Sequence, residues 1–168
     1  MSKQKRQYIG ILSAIAAYYT VHEGAHFLTA LYYGVFRQVN FMGLGMQIDV
    51  YADRLTPYQL GVFCLVGAVA TFFAGWLLIF SAKRICRCEN KLLKAVAWYV
   101  SIAMLLLDPV YLSVLCGFFG GGDMNGIRLI LPELAVRTAF GAVGILHGLL
   151  LWKYLLPLYT KAFREESA

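Results

Sequence analysis

Five residues near the start of the chain, His22-Glu23-Gly24-Ala25-His26, form an HExxH pattern. On a helix, residues four apart share a face. Two imidazoles at that spacing can hold one zinc ion, each through one nitrogen. Glu23, beside the first imidazole, is placed to take a proton from an attacking water and later pass it to a leaving amine. The motif lies in a long apolar stretch. His22 is 14 residues beyond Tyr8, about 21 Å along a helix at about 1.5 Å per residue. That depth falls inside a bilayer's hydrocarbon layer, where an acidic side chain costs about 2.5–3.5 kcal/mol and marks function. The competing reading is two histidines bonding between helices, with Glu23 as a salt-bridge partner.

A catalytic zinc commonly has three protein ligands and one open position, so a third ligand must come from elsewhere in the chain. His147 is the one remaining histidine and reads as a polar contact between helices. The acidic residues embedded in apolar sequence are Asp108, Asp123 and, less deeply, Glu133. Asp108 precedes Pro109, where a helix is expected to break. Asp123 follows Gly120-Gly121-Gly122, and glycines let the backbone approach a site closely. Asp123 is the favoured ligand and Asp108 the alternative. Asp108 could instead orient a histidine from behind.

The elements that must position these residues are those of a membrane protein. The 168 residues are 60% hydrophobic and 14% charged, with mean hydropathy +0.65; a soluble domain is about 45–50% apolar and about 25% charged. A soluble enzyme, a disordered tail and a disulfide-stapled module are all disfavoured. The expected fold is an all-α polytopic membrane protein, residues 1–168 forming one membrane-embedded domain of about four transmembrane helices. The spans read as Tyr8–Tyr33, Tyr58–Ala82, Leu92–Leu107 and Val136–Leu156, with Pro109–Phe119 a half-helix or re-entrant piece. The first span is too long for the apolar region of a signal peptide.

Basic residues set the orientation. Lys3, Lys5 and Arg6, then Lys83, Arg84, Arg87, Lys91 and Lys94, then Lys153, Lys161 and Arg164 all fall on one side of a four-span chain. Both termini are therefore expected in the cytoplasm, and Arg128 and Arg137 run against the pattern. Between the first two spans, Val35–Tyr51 alternates apolar and polar residues with glycines, which predicts a short hairpin. Such backbone sits at membrane depth only where protein or a water-filled cavity satisfies it.

The run His22-Glu23-Gly24-Ala25-His26-Phe27-Leu28-Thr29-Ala30, followed by Tyr33-Gly34-Val35, resembles the site-2 protease family of intramembrane zinc metalloproteases. Phe41-Met42-Gly43-Leu44-Gly45 resembles that family's membrane-embedded strand. Ala25 stands where the family has glycine. The family's third ligand lies in an LDG motif. Here Leu107-Asp108-Pro109 keeps its first half, and Gly122-Asp123-Met124-Asn125-Gly126 keeps the glycines.

The resemblance implies zinc as cofactor, proteolysis of a transmembrane protein substrate within the lipid bilayer, and Glu23 as base and then acid. Segment 41–48, with Gly43 and Gly45, is expected to pair with an unwound substrate strand. Asn125 is expected to hydrogen-bond the substrate backbone or the oxyanion. The small size favours a bacterial plasma membrane. The rival from another class is a non-catalytic membrane protein of the same fold that binds or chaperones partner helices. A third reading is a zinc enzyme acting on a lipid or small amide. No nucleic-acid partner is expected despite the net charge of +6, and the sequence leaves the oligomeric state open. Cys86-x-Cys88 lacks the spacing of a structural zinc site and reads, with Cys64 and Cys116, as reduced thiols.

Overall fold

The computed structural model describes residues 1–42 and 45–164. Its elements are helix α1 (Lys3–Tyr32), strands β1 (Phe36–Met42) and β2 (Gly45–Val50), and helices α2 (Pro57–Cys86), α3 (Lys91–Val110), α4 (Met124–Ile127), α5 (Glu133–Leu150) and α6 (Leu156–Arg164). Local chemistry sets the helix starts. Ser2 Oγ accepts from Lys5 N. Thr56 and Gln59 form a reciprocal capping box ahead of Pro57, and Asn90 Oδ1 accepts from Leu92 N and Leu93 N. Each satisfies a backbone donor that a helix start leaves free.

Three helical stretches are long and apolar enough to cross a membrane: Pro57–Cys86, Lys91–Phe119 and Glu133–Arg164. Helix α1 has comparable length, 30 residues, but carries His22, Glu23 and His26 and is not among the three. It packs against both α2 and α3, with Gly10 closely apposed to Tyr99 and Ala95. The alternating segment is an antiparallel hairpin, Val39 opposite Ile48 and Asn40 opposite Gln47, with an irregularity at Arg37. Gly43 lies outside the described residues. One buried cluster, including Ala30, Ile48, Phe63, Ala68 and Ile127, surrounds the HExxH turn. A second, including Ile79, Leu105, Leu155 and Tyr159, ties α2 and α3 to the C-terminal helices.

Two expectations are corrected. Pro109 does not end the third span. Helix α3 runs through it into a π-helical turn (Tyr111–Leu115) and a 3-10 turn (Cys116–Phe119), so 109–119 is no separate half-helix. Proline lacks the N–H that would bond the carbonyl four residues back. His147 supplies the contact from α5, its Nδ1 lying 2.8 Å from Leu105 O. The helix thereby keeps its carbonyl satisfied without breaking. Lys94, counted above with the basic loop, is instead fully buried, and its Nζ donates to Ala162 O on α6.

Candidate metal centre

Helix α1 presents His22, Glu23 and His26 on its inward side, all buried. His26 Nδ1 lies 2.7 Å from the backbone carbonyl of Phe63 on α2. A carbonyl only accepts, so Nδ1 carries the proton and Nε2 is left with a lone pair. His22 Nδ1 lies 3.2 Å from Asp108 Oδ1, a carboxylate oxygen that only accepts. The two Nε2 atoms face each other at 3.1 Å.

Asp123 completes the group. Its Oδ2 lies 3.2 Å from His22 Nε2 and 3.6 Å from His26 Nε2. Three consecutive glycines deliver it, Gly120, Gly121 and Gly122 at φ of 76°, 90° and 47°. This left-handed run is one that side chains resist. Immediately after it, α4 clamps to α2. A Cβ at Gly126 would collide with the Cys64 side chain and crowd the Leu60 carbonyl, so α4 lies this close to α2 because Gly126 has no side chain. The glycine turn is thus folded inward, and the Asp123 side chain is 24% exposed. Gly67 of α2 closes the centre from another side. A Cβ there would lie 2.6 Å from His26 Nε2 and 2.7 Å from His22 Nε2.

Glu23 points elsewhere. Its Oε2 accepts the Ile48 N–H of β2 at 3.0 Å, which fixes the hairpin edge beside the imidazoles. Since Ile48 directs its N–H to Glu23 and not to β1, the outer edge of β2 faces α1 at this point. Gly45 opens β2 opposite Met42. Asn125 is folded back on the glycine turn, Nδ2 donating to Gly120 O at 2.9 Å. It borders a surface cavity of about 260 Å³ with Arg128 and Arg137, a cavity lined by neither imidazole nor by Glu23.

Asp108 is expected from the sequence as an alternative ligand or as a group that orients a histidine from behind. It is 1% exposed and meets His22 at Nδ1, the far side of the ring from Asp123. His147 lies between helices, edge-on to Phe72. Tyr18 and Thr71 both bond Asp108, and the sequence reading passed over them. Tyr18 is four residues before His22 and so on its face, a signal available in the sequence. No local pattern singles out Thr71.

No protein-family model, curated protein or solved structure matches the chain.

Proposed function

We propose that the protein is an intramembrane zinc metallopeptidase of the site-2 protease type, cutting a peptide bond of a transmembrane protein substrate. One observation carries this reading. His22 Nε2, His26 Nε2 and Asp123 Oδ2 converge within 4.8 Å of one another, with the Nδ1 atoms of both rings turned to other acceptors. Three electron-rich atoms at such separations repel unless a cation or proton lies among them. Their spacings, 3.1, 3.2 and 3.6 Å, lie close to the edges of a tetrahedron with zinc-ligand bonds of about 2.0–2.2 Å, which are about 3.3–3.6 Å. Two imidazoles and a carboxylate also suit zinc chemically and leave a fourth position for water. When bound, zinc supplies Lewis-acid polarisation of the scissile carbonyl and acidifies water.

The chain's own residues do the rest. Glu23 is the group that holds the proton, taking it from water and giving it to the leaving amine. The Ile48 N–H holds its carboxylate in place. The β2 edge beside Glu23 supports docking of an unwound substrate as an added strand, which brings peptide carbonyls past the base. Burial by Ala30, Ile48, Phe63 and Ala68 limits water and strengthens every charge interaction in the centre. In this reading α1 is a fourth span, and both termini lie in the cytoplasm.

The test is co-reconstitution of the purified protein with a panel of single-span proteins in liposomes, with products identified by mass spectrometry. Wild type is expected to cut within an apolar segment. Glu23→Gln is expected to cut about 10²–10⁴-fold more slowly while retaining metal. Equal cleavage by Glu23→Gln contradicts the base assignment.

A further inference from the structure

Behind the centre lies a second carboxylate with three partners drawn from the other helices. Asp108 of α3 accepts the Tyr18 O–H of α1 on Oδ1 at 2.6 Å. It accepts the Thr71 O–H of α2 on Oδ2 at 2.5 Å. His22 Nδ1 of α1 lies 3.2 Å from Oδ1. Asp108 and Thr71 are fully buried, and Tyr18 stacks on His22 with ring centroids 5.2 Å apart. Asp108 does not belong to the His22, His26 and Asp123 group. It touches that group only through the back of the His22 ring.

We infer that Asp108 is the positioning residue of the centre, taking the Nδ1–H of His22 and so aiming its Nε2 lone pair at the metal. The inference rests on the metallopeptidase reading. The physical reason is the imidazole's choice of tautomer. A neutral ring carries its proton on one nitrogen, and the partner of that nitrogen decides which. A carboxylate only accepts, so Asp108 favours a proton at Nδ1, while Asp123, 3.2 Å from Nε2, faces the nitrogen that a metal would take. The Tyr18 hydroxyl, 3.4 Å from the same nitrogen, could serve as donor or acceptor and fixes nothing alone. His26 has a backbone carbonyl in the corresponding place, which no side-chain substitution removes. The orientation of His22 depends on one replaceable side chain.

A purely structural tie between α1, α2 and α3 makes a different prediction, and Asp108→Asn separates the two. Asparagine keeps the shape but presents an amide N–H₂ as well as an oxygen. With its oxygen kept by Thr71 at the Oδ2 position, the amide takes the Oδ1 position, where it faces His22 Nδ1 and drives the ring proton to Nε2.

The experiment uses the detergent-purified full chain and zinc alone, titrated against a chelator. Imidazole nitrogen NMR of the metal-free protein is recorded in parallel. Wild type is expected to show His22 protonated at Nδ1. Asp108→Asn is expected to shift that signal and weaken zinc about 10–100-fold. Thr71→Val, which removes a partner of the same carboxylate without touching His22, is expected to lower the melting temperature and leave zinc affinity unchanged. A His22 Nδ1 that carries no proton in metal-free wild type overturns the inference, a result independent of whether Asp108→Asn folds. So does wild-type affinity in Asp108→Asn, or equal weakening by Thr71→Val; in these cases the metallopeptidase reading stands. Wild type that binds no zinc overturns both.

Discussion

Gly67 sets how closely the second helix can approach the paired imidazoles. A methyl group there would sit within 2.7 Å of both Nε2 atoms, in the space that a metal and its open coordination position need. Gly67→Ala is therefore expected to keep its helical circular dichroism but lose most bound zinc, measured by elemental analysis. Full zinc occupancy in that variant would mean the ion, if present, lies elsewhere. Residue-scale chemistry was partly legible in the sequence. His22, Glu23 and His26 share one turn of one helix, so spacing alone predicts their face. The choice between Asp108 and Asp123 was not legible. Both are apolar-flanked aspartates about a hundred residues away, and what separates them is which side of the His22 ring each reaches. That depends on a glycine turn folding inward and on the close contact of Gly126 with Cys64.

At the scale of elements, the hairpin was readable because alternation has a period that helices lack. The path of the third long helix was not. Pro109 carries a local signal to stop, and the signal is overridden from 38 residues away by His147 reaching the Leu105 carbonyl. A donor supplied by another helix has no trace in local sequence. Helix α1 poses the sharper question, since it has the length of a span but the polarity of an active centre. In the proposed topology it crosses, making four spans and placing both termini on one side. Were only the three more apolar stretches to cross, the termini would lie on opposite sides. Reporter fusions at each terminus, active in one compartment only, are expected to report both in the cytoplasm. A split result contradicts the four-span arrangement.

Over the described residues, large apolar side chains lie on the outside as well as within. Phe73, Phe80, Leu134 and Ile145 point outward and are each more than 60% exposed, an arrangement that water penalises and lipid does not. Against that exterior, the interior gathers His22, Glu23, His26, Asp108 and Asp123 from α1, the end of α3 and the turn before α4, with α2 contributing Gly67, Thr71 and the Phe63 carbonyl. Such a concentration of ionisable groups inside an apolar chain calls for a function and a counter-charge, and in the proposed reading a divalent cation supplies the counter-charge.

The most direct measurement is the zinc content of detergent-purified wild type beside His26→Ala and Asp123→Ala. About one zinc per chain in wild type, lost in both variants while each remains folded, is the predicted result. No zinc in wild type even after reconstitution with the metal, or zinc that survives both substitutions, would contradict the account. His22, Glu23 and His26 would then stand as a polar cluster between helices.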